Sequence, residues 1–138
     1  LQLINRFQKN PQSVLLGTAS FWEGVDIGNE ALKVLIIARL PFSVPTDPIF
    51  TARAERYENA FNDYAIPQAI LRFRQGFGRL IRSRTDVGVI IISDSRITSK
   101  SYGKKFIDSI PSPTIVSDTF DNGPALIHSW LHGKNTAN

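Results

Sequence analysis

A chain of 138 residues has room for one domain, and 42% hydrophobic against 20% charged residues supplies enough apolar mass for a packed core, which argues against disorder. The absence of cysteine excludes disulfides, thiolate metal centres and a cysteine nucleophile, and no apolar run approaches the roughly 20 residues that span a bilayer. The net charge of +4 leans mildly toward polyanionic partners, so where the charge sits matters more than its sum. No secretory signal opens the chain, and a soluble intracellular protein is the expectation. It also holds no methionine and begins at Leu1, the pattern expected of a piece of something longer.

The first element is a short amphipathic helix over Leu1–Lys9, stopped by Asn10-Pro11. Ser13–Ala19 follows as a β-type run, and Lys33–Leu40 as a second, nearly continuous in Val, Ile and Leu. Asp47 precedes Pro48 in the arrangement of a helix N-cap and first turn, predicting a helix to about Tyr64. Ile66-Pro67 opens another, running to about Ser83. Val87–Ser93 is the third strand candidate, again dense in β-branched residues. Thr98–Ile110 reads as helix, Thr114–Val116 as a weak strand and Pro124–His132 as a last helix, with Gly133–Asn138 a flexible tail. Strands alternating with helices predict an α/β layer fold. The apolar runs at 33–40 and 87–93 suit central strands of a parallel sheet buried on both faces. Three firm strands and an opening helix are few for such a sheet, so a missing strand–helix unit at the front is expected.

The segment Pro67–Arg84 carries the chemistry. At about 100° per residue, Ile70, Phe73, Phe77, Leu80 and Ile81 fall on one side. Gln68, Arg72, Gln75, Arg79 and Arg82 repeat at spacings of four, three, four and three on another. No Asp or Glu occurs from Ile66 to Thr85, whereas a solvated, salt-bridged face interleaves acids one turn away. Arginine is the side chain suited to gripping phosphate through two parallel N–H donors. The stripe therefore fits an anion, with nucleotide phosphate and DNA backbone the two candidates and an ordinary basic surface the plainer alternative. Gly76 and Gly78 each weaken a helix by about 1 kcal/mol relative to alanine, and point to close approach of another surface. No Gly-x-x-x-x-Gly-Lys-Ser/Thr loop exists to cradle a triphosphate.

Three stretches together resemble the helicase family that includes DinG and XPD. Gln75-Gly76-Phe77-Gly78-Arg79-Leu80-Ile81-Arg82 is similar to its motif VI, Gln-x-x-Gly-Arg-x-Ile-Arg. Gly17-Thr18-Ala19-Ser20-Phe21-Trp22-Glu23-Gly24-Val25-Asp26 is similar to its motif V. Between them, Leu40-Pro41-Phe42-Ser43-Val44-Pro45-Thr46-Asp47-Pro48 resembles the linker of the bacterial DinG branch, and Asp94-Ser95-Arg96 and Ser101-Tyr102-Gly103 continue the likeness. The likeness runs from Leu3 to Trp130.

The resemblance implies a RecA-like parallel sheet flanked by helices. Residues 1–132 would form part of a second helicase motor domain, short of the strand–helix unit that carries motif IV. It implies an ATP-dependent DNA helicase as the complete enzyme, with ATP and Mg²⁺ held mainly by a first motor domain of the same polypeptide, and single-stranded DNA or DNA junctions as partners. Arg79 and Arg82 match the arginine-finger positions, and Gln75 matches the motif VI glutamine that fixes their geometry. Glu23, Gly24 and Asp26 would sense the nucleotide, and Thr18 and Ser20 would hold DNA phosphates. Arg72 lies outside the matched motif as a neighbouring anion contact. A bacterial cytoplasm, at the nucleoid, is the implied location, and the chain alone is expected to be inactive as an ATPase. A stand-alone nucleic-acid-binding module is the other reading.

Two further features point to plainer roles. His128 and His132 are one helical turn apart but lack a third ligand type beyond carboxylates, so no metal site is expected. Ser93-Asp94-Ser95 lacks the glycines of a nucleophile elbow.

Overall fold

The computed structural model describes residues 2–10, 12–18, 27, 32–83, 85–111 and 113–133. Helix α1 spans Gln2–Lys9, strand β1 Val34–Ile37 and helix α2 Pro48–Ala54. A π-helical turn, Phe61–Ala65, runs directly into α3, Ile66–Leu80. Strand β2 is Val89–Ile92, followed by α4 (Arg96–Ser99), α5 (Gly103–Ile107), a 3₁₀ turn at Phe120–Asn122 and α6 (Gly123–His132).

The two strands pair in parallel, Val34 opposite Val89 through Ile37 opposite Ile92, and form a two-stranded sheet among the described residues. Parallel neighbours require the connecting chain to travel back along the sheet, and α3 makes that journey. Its last residue, Leu80, meets the approach to β2: a Cβ on Gly88 would lie 2.6 Å from Leu80 Cγ, so only glycine lets the helix end sit there. The first turns of α3 therefore lie toward the carboxyl end of β1, and its last turn toward the amino end of β2.

Side chains alternate across the strands. Leu35, Ile37, Ile90 and Ile92 join the core, whose centre is Ile37, Leu40, Ala69, Phe73 and Phe106. Phe73 and Phe106 are fully buried and meet edge to face, ring centroids 5.6 Å apart. The opposite face of β1 is open, with Ile36 61% exposed. The sheet is thus covered on one face at this strand, where the apolar run predicted burial on both.

Several other expectations are corrected. Residues 13–18 form no strand among the described residues; Val14 and Leu16 are exposed, and the start of the segment bonds back to Asn10 through Ser13 N–H at 3.2 Å and Ser13 Oγ–H at 2.6 Å. Strand composition without a ladder partner leaves an extended surface segment. Residues 114–116 are likewise exposed and unpaired as a strand.

The helix expected from Asp47 to Tyr64 ends at Ala54. Asp47 does cap it, accepting from Ile49 N at 2.9 Å and Phe50 N at 3.0 Å. Asn59 then starts afresh, its Oδ1 accepting from Asn62 N at 3.1 Å, the local competition by which asparagine favours helix starts over interiors. The next helical run begins at Phe61, earlier than Ile66. Pro67 has no N–H to donate and its ring crowds the carbonyl four residues back, and the wider π turn, closed by Ile66 N–H on Phe61 O, accommodates it. Residues 98–110 split into α4 and α5 because Gly103 packs against the Ile97 carbonyl, where a Cβ has no room.

Candidate nucleic-acid and nucleotide interface

Helix α3 buries Ile66, Ala69, Phe73, Gly76 and Leu80, a stripe spaced three and four apart. Gln68, Arg72, Gln75 and Arg79 stand on a different stripe, partly or fully exposed, as their spacing predicted. Gly78 has open space where a side chain would sit, so among the described residues nothing lies within 4 Å of that position.

Arg82 departs from expectation. The helix ends at Leu80, and Ile81 is extended at φ −117° and ψ 108°, so Arg82 lies beyond the helix. Asp86 holds the exit: its carboxylate accepts from Arg82 N at 2.8 Å, Ser83 N at 3.0 Å and Ser83 Oγ at 2.8 Å. The Arg82 N–H, then the Ser83 hydroxyl and N–H, hold the Asp86 carboxyl below its ordinary range. Arg82 Nη2 in turn donates to the Ile27 carbonyl at 2.7 Å, joining the end of motif VI to the residue that follows motif V.

Near the middle of α3, Arg72 Nη1 donates to Ser43 Oγ at 2.6 Å, tying the helix to the segment after β1. Arg72 also lines two adjoining cavities. One, of about 290 Å³, holds Thr18, Gly17 and Arg39 beside the carboxyl end of β1. The second, of about 230 Å³, holds Ser43, Arg53, Gln68 and Tyr64. Ligands of open α/β sheets bind at this carboxyl edge. The expected site residues therefore divide: Thr18 shares a cavity with Arg72, whereas Gln75 and Arg79 line neither. From Arg72 to Arg79 is about 10 Å along the axis, seven residues at 1.5 Å each. Ser20, Glu23, Gly24 and Asp26 lie outside the described residues.

A buried network was not anticipated from sequence. Asp94, at the carboxyl end of β2, accepts from Leu40 N at 2.8 Å, Arg96 N at 3.1 Å, Arg96 Nε at 2.9 Å and Arg96 Nη2 at 2.6 Å. Arg96 also lies 5.3 Å from the centre of the Phe42 ring. The Arg96 guanidinium holds the Asp94 carboxyl well below the usual carboxylate range, against the opposing effect of burial, and the Leu40 and Arg96 N–H groups add to it. Asp94 raises Arg96 in return. The signal was present as an acid directly after a β-branched run with arginine two residues on.

Among the described residues no group of three or more His, Asp or Glu side chains has metal-holding geometry. His128 and His132 are neighbours, ring centroids 4.6 Å apart. No described helix is long and apolar enough to cross a membrane.

Residues 1–113 match the model of the helicase C-terminal domain family. The chain is 44% identical over 121 residues to the ATP-dependent DNA helicase YoaA of Haemophilus influenzae, covering 85% of this chain and 19% of that protein. It is 43% identical over 125 residues to the 3'-5' exonuclease DinG of Bacillus subtilis, covering 88% of this chain and 13% of the relative. To the ATP-dependent DNA helicase DinG of Photobacterium profundum it is 44% identical over 103 residues, 72% of this chain and 15% of the other. The chain thus spans less than one fifth of the length of these relatives. With a matching domain model over most of its length and these relatives beside it, the chain belongs to the helicase C-terminal domain family, as a DinG-like member.

Proposed function

We propose that this chain is part of the second, RecA-like motor domain of an ATP-dependent DNA helicase. It supplies arginine fingers to a nucleotide held mainly by a first motor domain, and backbone contacts to single-stranded DNA or a DNA junction. The single observation that carries the reading is α3: one helix whose buried stripe fixes it on the core while Gln75 and Arg79 stand on another face, with Arg82 pinned just beyond its end. The names of the relatives, two of them ATP-dependent DNA helicases, support the same reading.

In this motor, Arg79 and Arg82 place guanidinium charge where negative charge grows during phosphoryl transfer, and Gln75 fixes their geometry. Glu23, Gly24 and Asp26 report the state of the nucleotide, and Thr18 and Ser20 hydroxyls hold DNA phosphates. The Arg82–Ile27 hydrogen bond is a physical route between the two motifs. The described residues suit the phosphate side of ATP and not its Mg²⁺: cationic and amide side chains line the helix, and no metal-holding group is found among them. The setting proposed is a bacterial cytoplasm, at the nucleoid.

The test is steady-state ATP hydrolysis at saturating DNA by the complete enzyme, paired with nucleotide affinity. Arg79→Ala and Arg82→Ala should each lower kcat by orders of magnitude, up to the ~10³–10⁵ that such fingers contribute in related NTPases, with nucleotide binding comparatively intact. Arg79→Lys should rescue poorly, because a point charge lacks the planar fork. Near wild-type rates for both alanine variants sink the finger assignment.

A further inference from the structure

We infer that the cavity between α2 and the first turns of α3 is a second subsite for a DNA backbone phosphate, with Arg53 and Arg72 as its charged contacts and Gln68 and Ser43 as supporting donors. The inference rests on the DNA-motor reading above and extends it to residues outside motifs V and VI.

Arg53 and Arg72 line one cavity of about 230 Å³, and neither forms an ion pair with a described carboxylate. Two guanidinium groups facing one space repel each other unless an anion lies between them. Asp47 also borders the space; its Oδ1 accepts from Ile49 N and Phe50 N, and its single negative charge against the two guanidinium groups leaves the lining net positive. Arg72 is set in place from two sides, by its seat on a well-packed helix and by its 2.6 Å hydrogen bond to Ser43 Oγ. That bond uses one Nη1 donor and leaves the rest of the fork available, since a guanidinium carries five N–H donors. Gln68 stands one turn before Arg72 on the same stripe and brings an amide donor. The chemistry is that of phosphate oxygens: planar cationic donors, an amide and a hydroxyl.

Position selects phosphodiester backbone over the phosphates of the nucleotide. Arg72 also lines the adjoining cavity that holds Thr18 and Arg39 at the carboxyl end of β1, so the two spaces lie on either side of one guanidinium-bearing side chain. Neighbouring phosphates of one strand would occupy these two spaces, with Arg72 between them. The finger residues Arg79 and Arg82 line neither space and lie toward the opposite end of α3.

The experiment measures binding of a single-stranded oligothymidylate to the complete helicase across a salt series, together with KM for ATP and Tm for each variant. For single strands, log K falls with log salt by about 0.7 for each phosphate neutralised. Arg53→Gln, on the exposed end of α2, should reduce that slope by about 0.7 and weaken binding several-fold. Arg72→Gln should do the same or more, and Arg72→Lys should fall between it and wild type. KM for ATP and Tm should stay near wild type. Lys105→Gln, an equal loss of charge at an exposed position of α5, should leave slope and affinity near wild type. Wild-type slope and affinity in both Arg53→Gln and Arg72→Gln, with normal binding by the parent, overturn the subsite alone. A raised KM for ATP with unchanged DNA binding overturns it in favour of nucleotide phosphate. An equal effect of Lys105→Gln reduces it to diffuse charge. If the parent enzyme fails to bind the oligonucleotide at all, the subsite and the DNA-motor reading fall together.

Discussion

Asp94 is the residue on which two strand ends depend. Its carboxylate takes the Leu40 N–H, 54 positions earlier in sequence, and the Arg96 fork at once, so it fixes how the chain leaves β1 relative to β2. It is 9% exposed while its partner Arg96 is 38% exposed at the side chain, a geometry in which the charge-assisted bonds outweigh screening. Replacing it by asparagine keeps an acceptor for Leu40 but loses the ion pair, and should cost about 2 kcal/mol in chemical denaturation. Asp94→Ala should cost more, because a buried N–H is then left without a partner. The pH dependence follows from the same contacts. The folded carboxyl titrates below the unfolded one, so its contribution is complete above the unfolded value near pH ~4 and is lost as pH falls toward the lower folded value. Wild-type stability should therefore decline below pH ~4 more steeply than that of Asp94→Asn; parallel curves would show that the pair contributes nothing.

At the scale of elements, α3 is both the crossover of the parallel pair and the carrier of the proposed site. Phe73 sits at its centre, fully buried against Phe106, so Phe73→Ala should destabilise by about 3–5 kcal/mol. Measured urea midpoints at constant slope check this, and a loss below about 1 kcal/mol would mean that the core collapses around the gap. The helix was legible in sequence because its period of 3.6 is strong over 15 residues, and so were β1, β2, α1 and α6. What was not legible depends on particular contacts that periodicity does not encode, some between residues far apart in sequence and some between residues only a few positions apart. Residues 13–18 have strand composition, yet a strand exists only if another lies beside it. The helix 98–110 breaks because Gly103 meets the Ile97 carbonyl, a contact that periodicity does not encode. Arg82 was placed on the helical stripe by counting, whereas Asp86 draws the chain off the helix first. Sequence alone points to Arg72 and Thr18 as separate anion contacts; that they border one cavity depends on the fold.

For the whole molecule, the division of labour along α3 sets what the chain does alone. Its first two turns carry Gln68 and Arg72 beside the cavities, and its last turn carries Arg79 ahead of the pinned Arg82, so the proposed anion contacts lie along one helix. Cationic groups alone do not hydrolyse ATP: the reaction needs a metal held by carboxylates, a cradle for the phosphates and a group to orient the attacking water. The sequence contains no phosphate-cradling glycine loop, and the described residues include no metal-holding group. The purified chain should accordingly show no ATP hydrolysis above background, with or without single-stranded DNA, measured as phosphate release over repeated purification. Transition-state contacts from one side of a cleft contribute only when the other side holds the substrate in place, so adding single-stranded DNA should not rescue turnover. In the proposed reading, joining a first motor domain to this chain in one polypeptide should produce DNA-stimulated hydrolysis, and Arg79→Ala should abolish most of that gain. Hydrolysis by the chain alone that persists through stringent repurification and survives Arg79→Ala would mean that catalysis uses residues other than this helix.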